Sequence, residues 1–222
     1  MYPVGNLFIP APHGQLEAIL KEPCTDSESS SPDGRVALVL HPHPLHGGTM
    51  HNKVVFRAAR ALNDAGLVTL RINFRGVGAS SGAHDEGRGE RDDARTALDY
   101  LTENYPHADI TVAGFSFGSR VGMEVGLTDE RVGRLISIGT PVNMTDFSFL
   151  RECRKPLLFV HGERDEFGDI QKLRALVSQL PSEADARLEV ISGVAHFFEG
   201  KLDEMSRAIT EWTKQKVEGS SD

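Results

Sequence analysis

Six short apolar runs, RVALVL, LVTLRI, DITVAG, RLISIG, PLLFVHG and RLEVIS, recur along the chain, and apolar residues at helical spacing fill the intervals between them. Val55, Ala59 and Leu62 follow the first run; Ala94, Ala97, Leu98, Leu101 and Tyr105 follow the second; a helix is expected from about Phe117 after the third. Ile170, Leu173, Val177 and Leu180 come after PLLFVHG, and Phe198, Leu202, Met205, Ile209 and Trp212 close the series. A strand covered on both faces is apolar almost throughout, whereas a half-exposed one alternates. The pattern therefore predicts an α/β fold on a doubly wound, mostly parallel sheet with helices on both faces. NLFIP and QLEAIL, separated by a Pro, His and Gly turn, predict an antiparallel hairpin ahead of it. One domain, 1–222, accounts for the length, with a polar surface loop at PCTDSESSSPDG and a disordered tail at 216–222.

The balance of charge excludes some partners. Lys and Arg total 24 against 32 acids, a formal net charge of -8. Phosphate backbones require clustered cations to displace counterions, so nucleic acid is not an expected partner. No apolar stretch is long enough to span a bilayer, and MYPVGNLFIPAPHG lacks the basic start and long apolar run of a signal peptide. Cys24 and Cys153 belong to no CxxC or Cys/His cluster. Two free thiols in a reducing cytoplasm are expected, with no membrane association.

In a parallel sheet, chemistry gathers at the carboxyl ends of the strands. Two segments there match Gly-x-Ser-x-Gly. GASSG, residues 78–82, follows the loop NFRGV and precedes the charged segment AHDEGRGERDD, so it has no helix at once behind it. GFSFG, residues 114–118, closes ITVA and opens a helix without a gap. Only the second has the strand, turn and helix that lift a serine hydroxyl above a sheet, which makes Ser116 the expected nucleophile and GASSG a structural loop.

A serine hydroxyl needs an imidazole to accept its proton and a carboxylate to hold that imidazole. His196, in SGVAHFF after the last strand, is the only histidine beyond His161 and is the expected base. His161 ends its own strand and is expected to be packed under the turn. Glu163, Asp165, Glu166 and Asp169 cluster after PLLFVHG. Asp165 is the favoured acid, because it lies past the strand end and its short side chain suits a fixed bond to the ring, with Asp146 as the fallback. The order Ser116, Asp165, His196 is that of the α/β-hydrolases.

The loop HPHPLHGGTM, residues 41–50, suggests a metal at first sight, through His41 and His43 with His46 and His51. Yet no Asp or Glu occurs from Val36 to Asn63, so carboxylate ligands and partners are missing locally, and no metal is expected. A backbone role fits better. Acyl transfer needs N–H donors aimed at the developing oxyanion, one from the residue after the nucleophile, Phe117, and one from the loop after an early strand. Pro42 and Pro44 have no N–H, which leaves His43 and Leu45, of which His43 is the better placed.

HPHPLHGGTMHNKVV, NFRGVGASSG, HDEGRGE, GFSFGSR, DFSFL, RKPLLFVHGERDEF and AHFF, in this order and spacing, resemble a group of small bacterial α/β-hydrolases described as predicted esterases. The resemblance spans about Gly5 to Trp212. It implies the α/β-hydrolase fold, Ser116 as nucleophile, Asp165 as acid and His196 as base. GVAHFF departs from the GADHFF common in that group, and His51 stands at a position that varies.

Thr140 to Lys155 is too short for a cap domain, so an open, shallow site is expected, with Phe147, Phe149, Phe167, Phe197 and Phe198 as lining residues. The expected activity is hydrolysis of small acyl esters through an acyl-enzyme, without a cofactor. A thioesterase or peptidase-like hydrolase would use the same groups. Two readings of another class are a catalytically silent binding module and a nucleotide-binding domain, the latter because RGVGASSG partly resembles a dinucleotide loop, with Ser81 where its third glycine would stand.

Overall fold

The computed structural model describes residues 5–23 and 34–215. Cys24, nearly all of the polar segment and the tail 216–222 lie outside the described residues. The strands are β1 (Gly5–Ala11), β2 (Gly14–Lys21), β3 (Arg35–Leu40), β4 (Val68–Ile72), β5 (Asp109–Phe115), β6 (Val132–Ile138), β7 (Leu157–Gly162) and β8 (Arg187–Ile191). The α-helices are α1 (Lys53–Asp64), α2 (Arg88–Asn104), α3 (Phe117–Thr128), α4 (Ile170–Val177) and α5 (Leu202–Lys214).

All eight strands form one sheet in the order β1-β2-β4-β3-β5-β6-β7-β8. The opening hairpin is antiparallel and joins β4 antiparallel; from β4 to β8 every pairing is parallel. The chain leaves β3 for β4 on one side and returns to β5 on the other. The carboxyl ends of β3 and β5 therefore border the crevice at the point where strand order reverses, the place where such sheets bind ligands.

Side chains alternate across each buried strand. Val36, Leu38 and Leu40 of β3 join Val112 and Leu135 beneath α2 and α3, while Ala37 and Val39 join Ala113 and Ile136 beneath α1 and α5. Helices seal each face, α4 joining α2 and α3 through Leu173, which is why these runs are continuously apolar. RLEVIS is the exception, because β8 is an edge strand whose residues alternate between exposed and half-buried up to Ile191.

Helix α3 approaches the sheet closely, with Gly122 against Val112 and Leu40, and Gly126 against Leu135. Its far end is tied down by the Lys155 ammonium, which donates to the carbonyls of Gly126 (2.7 Å) and Asp129 (2.6 Å). Among the described residues no helix is long and apolar enough to cross a membrane.

Candidate active site

Ser116 stands between β5 and α3 with φ 54° and ψ −118°, a left-handed backbone that costs a non-glycine residue about 1–3 kcal/mol. The turn is held by its neighbours. The Ser116 amide donates to Ile138 O (2.9 Å), and Ser119 Oγ donates to Ser116 O (2.6 Å). The flanking glycines are required by space: a Cβ on Gly114 would collide with Gly118 O, and one on Gly118 would lie 2.5 Å from His41 O. GFSFG thus brings the start of α3 against the end of β3.

GASSG is used differently. Ser80 is buried, donates to Asn73 O (2.7 Å) and accepts from the Glu17 amide, while Ser81 Oγ accepts from the Gln15 amide. Both hydroxyls fasten the loop after β4 onto β2, and α2 begins only at Arg88. The segment with a partial likeness to a dinucleotide loop is therefore committed to the hairpin, with no helix N-terminus directly behind it.

The carboxylates after β7 separate clearly. Asp165 Oδ2 lies 2.7 Å from His196 Nδ1, and both side chains are buried. Its other oxygen accepts the amides of Phe167 (2.9 Å) and Gly168 (3.2 Å), which fixes the carboxyl group before any ligand arrives. Glu163 accepts from Ser192 Oγ and Gly193 N; the Ser192 hydroxyl holds its carboxyl below the usual range. Glu166 accepts from the His196 amide, Asp169 caps α4, and Asp146 caps the turn at Ser148. Asp146, the fallback acid, makes no contact with the His196 ring among the described residues.

With Nδ1 turned to a carboxylate, His196 carries its proton there and leaves Nε2 as an acceptor. The ring lies against Phe115, the residue before Ser116, at 4.8 Å between centroids, and packs over Gly139. Its loop is anchored by Arg164 N donating to Val194 O, so the valine of GVAHFF is turned into the core while its carbonyl holds the turn. His161 is buried, donates through Nε2 to Gly168 O (2.7 Å) and supports the Asp165 turn from beneath. Burial lowers its pKa.

The histidines after β3 have separate tasks. His41 is fully buried, donates through Nδ1 to Pro42 O (2.6 Å) and accepts the Phe74 amide at Nε2 (3.0 Å). Burial lowers its pKa from 6.5 to about 4, so it is a neutral brace with both nitrogens occupied. Pro42 O, which accepts from His41 Nδ1, belongs to the peptide that carries the His43 N–H, and His43 O in turn accepts the amides of His46 and Gly48, which holds the following peptide. Leu45 N is committed to His43 Nδ1 (3.2 Å). Among the described residues the amides of His43 and Phe117 have no acceptor, and both residues line the same cleft as Ser116 and His196. No group of three or more His, Cys, Asp or Glu is placed to hold a metal among the described residues.

A second histidine and carboxylate pair lies across the cleft. Glu90, fully buried at the start of α2, accepts from His84 Nδ1 (2.7 Å), Asp85 N (3.0 Å) and Gly87 N (2.8 Å). The His84 ring rests against His43 and Phe117, at 4.8 and 5.7 Å between centroids.

The cleft itself has a volume of about 430 Å³. Phe167 and Phe197 line it, as expected. Phe147, Phe149 and Phe198 do not: Phe147 and Phe198 are buried in the core, and Phe149 packs on its edge. Phe198 turns inward from a left-handed backbone, φ 55°, before α5 starts at Leu202. The sequence reading missed Arg91, Arg120, Glu124 and Met144 as walls; the four-residue spacing of Arg120 and Glu124 after Ser116 was the available signal.

Known proteins share this fold. A family model described as alpha/beta hydrolase fold matches residues 45–155. An uncharacterized protein of Rickettsia prowazekii, RP471, is 38% identical over 214 residues, covering 93% of this chain and 87% of the relative. The chain belongs to the alpha/beta hydrolase fold family. This α/β hydrolase is also similar to a solved alpha-beta serine hydrolase homologue from Coxiella burnetii, with 38% identity, a TM-score of 0.86, and coverage of 95% of this chain and 99% of that one. A second solved structure, XC6422 from Xanthomonas campestris, is a serine hydrolase without a lid; it shares 31% identity and a TM-score of 0.87 over 100% and 99% of the two chains. In this α/β hydrolase, the connection from β6 to β7 carries one short 3-10 turn, Ser148–Glu152, and no cap.

Proposed function

We propose that this α/β hydrolase is a serine carboxylesterase of small acyl esters, with Ser116, His196 and Asp165 as its catalytic triad. The observation that carries the reading is the buried Asp165–His196 pair at 2.7 Å, sharing a cleft with a serine in a strained turn. Ser116 Oγ attacks the ester carbonyl carbon as its proton passes to His196 Nε2, and Asp165 stabilises the imidazolium that results. The amides of Phe117 and His43 receive the oxyanion; Phe117 N also carries the partial positive charge of the α3 N-terminus. Collapse of the tetrahedral intermediate expels the alcohol, protonated by His196, and water activated by the same imidazole releases the acid.

Small, soluble acyl groups fit an open cleft walled by Phe167, Phe197 and Met144 better than long lipid chains. Labelling with a fluorophosphonate probe, together with hydrolysis of p-nitrophenyl acetate, tests the proposal. Wild-type protein is expected to label and turn over, and Ser116→Ala to do neither. Equal labelling of the two, or activity abolished by a chelator, would overturn it.

A further inference from the structure

The catalytic reading leaves one wall of the cleft without a task. Helix α3 runs away from Ser116 with Arg120 and Glu124 following at four-residue steps, and all three residues line the cleft. The Glu124 carboxylate accepts from Arg120 Nε (2.8 Å) and, across the helix pair, from Arg91 Nη1 of α2 (2.7 Å). Arg120 is further fixed by Thr145 Oγ1 (3.1 Å) and by the Phe149 ring, 4.7 Å from its guanidinium carbon.

Two guanidiniums thus share one carboxylate, which leaves one positive charge uncompensated within the trio. Glu86, the other acid of this wall, is exposed and bonds to neither arginine among the described residues. Arg91 Nε and Nη2 have no acceptor among the described residues, and the side chain is 32% exposed. A brace between α2 and α3 needs only the Arg91–Glu124 bond; it does not need a second guanidinium or spare donors at a ligand cleft. The 1.5 Å helical rise places Glu124 about 12 Å along the axis from Ser116, and the exposed Met144 supplies apolar surface along the same cleft.

We infer that the cleft selects esters carrying a carboxylate or similar anion several atoms from the reacting carbonyl, with Arg91 and Arg120 as the residues that recognise it. The inference rests on the esterase reading above. It does not fix whether the anion sits on the acyl or the alcohol portion, so the test has two arms: mono-p-nitrophenyl suberate against p-nitrophenyl octanoate, and O-acetyl ω-hydroxyhexanoate against hexyl acetate.

In at least one arm the anionic ester is expected to have a kcat/KM about tenfold above its neutral partner. Salt lowers that preference by screening a partly exposed pair. Arg91→Met brings the ratio toward one, and Arg91→Lys, which keeps the charge, retains part of it. No preference in either arm of the wild-type protein overturns the inference without recourse to any variant, as does a preference that survives in folded Arg91→Met. Failure of folded wild-type protein to hydrolyse any of the four esters would instead sink the esterase reading on which it depends.

Discussion

Two histidine and carboxylate pairs flank the same cleft, and their hydrogen bonds are alike. Asp165–His196 and His84–Glu90 each join Nδ1 to a buried carboxylate at 2.7 Å, and each carboxylate also accepts two backbone amides. What differs is where the ring faces. His196 lines the cleft beside Ser116, whereas His84 lies behind the cleft wall against the rings of His43 and Phe117. A carboxylate-oriented imidazole is thus not enough to propose a base; the proposal for His196 also draws on the cleft it shares with Ser116.

The strongest attempt to break this distinction is to remove each ring in turn. His196→Ala is expected to lower kcat for p-nitrophenyl acetate by about 10⁶-fold, the scale seen when a triad histidine is lost. His84→Ala is expected to lower it by about tenfold or less, through loosening of the residues that carry the oxyanion donors. Comparable losses in the two variants would erase the contrast.

Neutralising the acids separates activity from stability. Asp165→Asn is expected to cost about 10⁴-fold in kcat, because the imidazole is no longer held in the right tautomer or stabilised when charged. Glu90→Gln leaves a capping amide in place but presents a donor to one of the groups its carboxylate now satisfies. Its main effect is expected in denaturant unfolding, at about 1–3 kcal/mol.

His41 sharpens the comparison as a buried histidine whose hydrogen bonds go to backbone instead of a carboxylate. Its folded pKa of about 4 lies below the unfolded 6.5. Between those values the unfolded chain binds the extra proton, so stability falls as pH drops from 6.5 toward 4, by up to ~3 kcal/mol for this one group. Unfolding free energies measured across that window are expected to show a shallower pH slope in His41→Gln than in the wild-type protein. An unchanged slope would mean that His41 is not the neutral brace described.

The outline of the fold was legible because continuous apolar runs and helical spacing are local patterns. The apolar runs predicted strands covered on both faces, and the uninterrupted step from ITVA into GFSFG distinguished Ser116 from Ser80, although both lie in the same five-residue motif. Asp165 is favoured among four neighbouring acids by its place past the strand end and its short side chain, but what separates them in the structure is long-range: which turn faces the His196 loop once β7 and β8 pair. No local pattern carries that.

The aromatic lining was harder to read for the same reason. Phe197 and Phe198 are adjacent in sequence, yet one lines the cleft and the other fills the core, because the backbone reverses at a left-handed residue with no glycine to announce it. The strand order also lay beyond the pattern: nothing local places β4 between β2 and β3.

Among the described residues, the short connection between β6 and β7 places no cap above Ser116. Under the proposed mechanism, an acyl-enzyme formed there stands open to bulk solvent, so competing alcohols are at a disadvantage against water. With no door to swing, selection among esters falls to the fixed walls of the cleft, which Phe167, Phe197 and Met144 keep narrow enough to favour small acyl groups.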